Sequence, residues 1–146
     1  MSNKLKSDIL GEVLHLKTLP TGLSSYIIPK KGFNEKYAAL AIGFGSCDLE
    51  FEVDGKRICT PQGIAHFFEH KAFEDEKLDY FNEFTKLSAS VNAYTNFNST
   101  VYYFTCTENF TECLKLLFDM VFSLYITDET IEKEKEIGRA SCRERV

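Results

Sequence analysis

Residues 108–123 constrain the fold of this chain more than any other stretch. Their apolar positions, Phe110, Cys113, Leu114, Leu117, Phe118 and Val121, recur at i, i+3, i+4 and i+7. A helix with that rhythm carries one apolar stripe, and the stripe is core. Thr107 is placed to cap its start. Just before it, residues 90–95 and 100–106 are rich in Val, Tyr, Phe and Thr and flank Asn96, Phe97 and Asn98. Those features predict a β-hairpin.

The rest of the chain reads as short alternating elements. Residues 12–18 and 23–28 are β-like on either side of Leu19, Pro20, Thr21 and Gly22, which predicts a hairpin ended by Pro29. Residues 37–44 form an apolar run of strand length, expected to be central and well covered. Gly43 and Gly45 at its end allow close backbone approach. They lack the Walker lysine and following helix of a phosphate loop. Asp54 and Gly55 turn the chain between residues 49–53 and 56–59. Glu74, Asp75 and Glu76 read as a solvated loop, and Asp79 as the N-cap of a short helix over residues 80–87. Thr127 or Asp128 would cap a last helix carrying Ile131 and a run of charges.

Composition narrows the class. The chain has 146 residues, enough for one domain with a real core. A formal charge of -5 offers nucleic acid no basic field. No segment approaches the length of a membrane span, and the first residues lack the apolar stretch of a signal peptide, so a cytoplasmic location is expected. Five cysteines with no C-x-x-C pair read as free thiols in a reducing compartment.

Chemistry concentrates after the turn of Pro61, Gln62 and Gly63. Two of the three histidines in the chain, His66 and His70, are four residues apart, with Glu69 between them. On a helix these three share a face, while Ile64, Phe68 and Ala72 point roughly the other way. Two imidazoles one turn apart can hold one zinc ion, each nitrogen ~2.0–2.1 Å from it. A carboxylate beside them can take a proton from water at the metal. The same spacing would arise on a surface helix carrying two unrelated histidines. The order H-x-x-E-H mirrors H-E-x-x-H.

Three segments together carry a resemblance. Residues 61–73 hold Pro61, Gln62, Gly63, His66, Glu69 and His70. Residues 90–95 read Ser90, Val91, Asn92, Ala93, Tyr94, Thr95, and residues 130–135 read Thr130, Ile131, Glu132, Lys133, Glu134, Lys135. In order and spacing, over residues 14–137, the chain resembles the N-terminal domain of an insulinase/pitrilysin-type zinc metallopeptidase, an inverzincin, in its bacterial zinc-dependent peptidase branch. The resemblance implies an α+β fold: a mixed, largely antiparallel sheet with helices packed on one face. It implies a zinc metalloendopeptidase in which His66 and His70 hold Zn2+, Glu69 is the general base, and Glu134 supports the metal site from behind. Asn92, Ala93, Tyr94 and Thr95 would accept an extended peptide by β-addition. The partners implied are a peptide or protein substrate and a homologous partner subunit, with neither nucleic acid nor membrane. The alternative is a non-catalytic peptide-binding subunit of a peptidase pair.

The pattern breaks at one place. The family's third ligand is a Glu seven residues after the position of Glu134, and Ser141 stands there. Residues 138–146 read as an adapter-derived, non-native tail, leaving residues 1–137 as a truncated N-terminal peptidase domain, inactive alone. The coding DNA tests this. Codons from residue 136 onward are expected to spell a sequencing adapter, and any other codons would refute the tail.

Overall fold

The computed structural model describes residues 2–75, 78–128 and 131. The chain divides into two compact units, residues 1–34 and 35–146. Glu134, Ser141 and the residue 138–146 tail lie outside the described residues.

The first unit is a three-stranded antiparallel meander, β1 (Ser2–Ser7), β2 (Glu12–Thr18) and β3 (Ser24–Ile27), in that spatial order. The β2–β3 hairpin is the one expected, with His15 opposite Ile27 and Thr18 opposite Ser24. Strand β1 was not foreseen, because its sequence is polar apart from Leu5 and offers no alternation to read. Its pairing follows from the turn at Gly11 (φ 64°), whose amide donates to the Ser7 carbonyl at 2.9 Å. A left-handed residue of that kind suits glycine.

The second unit carries the site. Its main sheet has the order β4 (Lys36–Ile42), β8 (Thr100–Cys106), β7 (Ala89–Thr95), with every pairing antiparallel. A separate two-stranded ribbon, β5 (Glu50–Val53) with β6 (Lys56–Cys59), turns at Asp54 and Gly55 as expected. Helices α1 (Ile64–Lys71), α2 (Tyr80–Lys86) and α3 (Phe110–Phe122) complete it.

The central strand is β8, not the 37–44 run, which corrects that expectation. Among the described residues β4 is an edge strand, with Leu40 buried and Ala38 half-buried. Half of its apolar residues are Ala38, Ala39 and Ala41, small side chains that raise hydrophobicity without needing cover. Strand β8, by contrast, buries Tyr102, Phe104 and Cys106 on one face. That face meets Phe84 of α2 and Cys113, Leu117 and Met120 of α3, all fully buried. Phe104 lies 5.8 Å from the Phe84 ring and 5.6 Å from Phe110. Helices on one face of an antiparallel sheet are the expected architecture, built by these apolar stripes.

One local expectation holds and two shift. Asp79 does cap α2, its carboxylate accepting the Asn82 amide at 3.1 Å. Helix α3, however, starts at Asn109 in a left-handed turn (φ 53°), and no side chain caps it. Thr107 instead offers its carbonyl to the Lys36 ammonium. The acidic stretch is no free loop either, since Glu74 accepts from the buried Lys71 at 2.7 Å and bridges to Asp79. Burial pushes the Cys113 thiol up to about 11, so it is an inert core residue. No helix among the described residues is long and apolar enough to cross a membrane.

Gly45 joins the loop after β4 to the β7–β8 turn. Ser46 and Cys47 donate their amides to the carbonyls of Asn96 and Phe97, each at 2.9 Å. A Cβ on Gly45 would sit 2.5 Å from two backbone nitrogens, those of Asn98 and Ser99. Backbone cannot swing aside as a side chain does, so Gly45→Ala is expected to lower stability by roughly 1–3 kcal/mol. Gly43 has open space around it. Gly43→Ala is therefore expected to stay within about 0.5 kcal/mol of the parent in urea unfolding.

Candidate functional site

Helix α1 begins abruptly. Gly63, at φ 86°, turns the chain in a conformation other residues resist, and its carbonyl accepts the Phe67 amide at 2.9 Å. The helix buries Ala65, Glu69 and Lys71, while Ile64 and Phe68 are half-buried. Tyr102 of β8 pins it from below, its hydroxyl donating to the Phe68 carbonyl at 3.3 Å. At the other end Lys71, with no exposed surface, pairs with Glu74 and lies 5.8 Å from the Phe67 ring.

That seating brings His66, Glu69 and His70 together. One ligand atom from each lies within 4.8 Å of the others, and the two imidazole centroids are 4.4 Å apart. The three are not equivalent in exposure: the His66 side chain is 64% exposed and that of Glu69 only 11%. The histidines face outward and the carboxylate sits beneath them against the sheet.

Glu69 is held by a partner from the sheet. The Thr95 hydroxyl donates to Glu69 Oε2 at 2.6 Å, and His66 Nδ1 lies 3.3 Å from the same oxygen. Thr95 Oγ1 is 3.4 Å from Thr100 Oγ1, and Thr100 in turn donates to the Phe44 carbonyl at 2.9 Å. Thr95 was singled out in the sequence as part of a peptide-accepting strand, not as the partner of Glu69. The signal was present in the period of two along β7, which puts Val91, Ala93 and Thr95 on the helix-covered face.

Strand β7 is an edge among the described residues. Asn92 and Tyr94 are exposed on its open face, and Asn92 Oδ1 accepts the Ala93 amide at 2.8 Å. Tyr94 and Tyr37 flank Tyr103, at 6.2 and 5.6 Å between ring centroids. The four residues proposed from sequence are thus contiguous with the His–Glu–His turn through Thr95.

The donor set fits a zinc ion in kind: two imidazole nitrogens side by side, with a carboxylate adjacent. It is one ligand short of the three usual in catalytic zinc sites, and among the described residues no other His, Cys, Asp or Glu joins the group.

The comparisons with known proteins follow the same lines. The insulinase family profile (peptidase family M16) matches residues 54–145. The uncharacterized zinc protease YmfH of Bacillus subtilis is 42% identical over 139 residues, 94% of this chain and 32% of that protein. The crystal structure of an M16-like peptidase from Alicyclobacillus acidocaldarius superposes with a TM-score of 0.84 at 40% identity, covering 91% of this chain and 31% of that one. A protease from Helicobacter pylori superposes at 0.74 with 26% identity, over 89% and 30% of the two chains. This chain therefore spans about a third of the length of these relatives.

Burial, and then the neighbouring Glu69 carboxylate, push the Tyr102 phenol up to about 12. The neutral phenol is the form the fold accepts. Its contribution to stability is present below the ordinary value of 10.0 and lost as pH rises toward 12. Phenolate absorbance is expected to show a component with that late midpoint, and Tyr102→Phe is expected to remove it.

Proposed function

Because the chain belongs to the insulinase family of peptidases (family M16), we propose that it is part of a zinc metalloendopeptidase, with His66, Glu69 and His70 at the reacting centre. The observation that carries this reading is the gathering of their ligand atoms within 4.8 Å on one helical turn, the carboxylate nearly buried. His66 and His70 would hold the ion. Bound there, zinc would supply a Lewis acid that brings the ionisation of water within reach of neutral pH.

The chain's own residues do the rest. Glu69 accepts the proton of the attacking water and returns it to the leaving amine, the ordinary duty of a general base in peptide hydrolysis. Thr95 keeps one of its oxygens occupied, so the other is turned to the water. The free edge of β7 takes the peptide as an added strand. Backbone hydrogen bonds supply most of the affinity, and Asn92 lies beside the scissile region. Glu134 would support the metal site from behind, and the position of the family's third ligand is held here by Ser141. Residues 138–146 are foreign to the protein in this reading, and the 146-residue chain alone is inactive.

The test uses the full-length protein that contains this chain. Zinc content is measured alongside cleavage of a quenched fluorescent peptide. Glu69→Gln is expected to retain zinc and to lose roughly 100- to 10,000-fold in kcat. His70→Ala is expected to lose the metal. Full activity in Glu69→Gln would overturn the assignment, and peptide binding without zinc or turnover in the parent would favour a non-catalytic binding subunit.

A further inference from the structure

We propose that Thr95 is a positioning residue for Glu69, one that fixes which carboxylate oxygen faces the reaction. The inference rests on the peptidase reading only for its kinetic consequence, since the geometry stands without it. Two threonines face each other across the β7–β8 pair, Thr95 opposite Thr100. Each hydroxyl has one proton to give. Thr100 gives its proton to the Phe44 carbonyl at 2.9 Å. The 3.4 Å gap between the two hydroxyls is long for an O–H···O bond. Thr95 thus has two acceptors in reach, and Glu69 Oε2, a carboxylate oxygen at 2.6 Å, is the closer. At that separation the O–H···O bond is well formed.

The proton on Thr95 therefore points at Oε2, and the neighbouring hydroxyl is committed elsewhere. Oε2 is also the oxygen 3.3 Å from His66 Nδ1, so both of these contacts converge on one side of the carboxylate. Oε1 is left as the oxygen that works on water. Because Thr95 ends the strand whose open edge takes the peptide, the base and the substrate register share one piece of backbone. A peptide bound one residue out of register would meet the base at the wrong carbonyl.

Thr95→Val keeps the shape of the side chain and deletes the hydroxyl, whereas Thr95→Ser keeps the hydroxyl. In the full-length zinc-loaded protein, Thr95→Val is expected to lower kcat about 10- to 100-fold with KM within about twofold, and Thr95→Ser to recover most of the loss. Zinc content is expected to stay that of the parent in both. An independent arm uses the metal-free 146-residue chain. There, Thr95→Val, Glu69→Ala and the double variant form a cycle read by urea unfolding. The unfolding equilibrium constant of the double variant is expected to depart from additivity by about tenfold or more. An additive cycle overturns the proposal. So does a Thr95→Val enzyme with unchanged kcat, or one that Thr95→Ser fails to rescue. A parent without zinc or turnover would sink the peptidase reading alone, and the cycle would still decide whether Thr95 and Glu69 are coupled.

Discussion

A carboxylate taken almost out of water must find donors inside the protein, and the bond from Thr95 to Glu69 answers that need here. Leaving such a group unpaired would cost at least ~1–3 kcal/mol, more for a charge. Meeting the need ties helix α1 to strand β7 at one defined point. The histidines on the same turn are then aimed by a helix that can neither rotate nor slide without breaking the bond. Tyr102 adds a second pin at the neighbouring residue, the Phe68 carbonyl. The geometry of the site is therefore set by the sheet as much as by the helix that carries it.

The sheet can do this because its middle strand is rigid. Strand β8 has a partner on each side and a helix layer over Tyr102, Phe104 and Cys106. Thr100, at the end of that strand next to the site, is 4% exposed and bonded to the loop after β4. Gly45 lets the same loop lie directly on the hairpin tip. Two hydrogen bonds, from Thr100 to the Phe44 carbonyl and from Thr95 to Glu69, thus lie side by side between that loop and helix α1.

Much of this was legible in the sequence, for reasons that differ by element. The α3 stripe, the β7–β8 hairpin and the Asp79 cap were plain because each has a local period or a local bond. The His–x–x–Glu–His turn was plain because spacing alone puts those groups on one helix. What failed to show was relational. Strand β1 has no pattern of its own, and β4 was read as central because an alanine-rich run resembles a covered strand. The burial of Lys71 depends on Glu74 and Phe67 closing over it. The meeting of Thr95 and Glu69 joins residues 26 apart in sequence, and only the register of β7 against α1 decides it.

The side chain of Asn92 closes on the amide of Ala93 along the open margin of β7. Unpaired margins of sheets invite stray association with other chains. A donor already satisfied by its neighbour offers nothing to a chance visitor that can supply only one acceptor. A visitor that lies along several residues at once gains enough to displace the Asn92 oxygen from that amide. The margin is thus harder for a single stray contact to use than for a segment paired along its length.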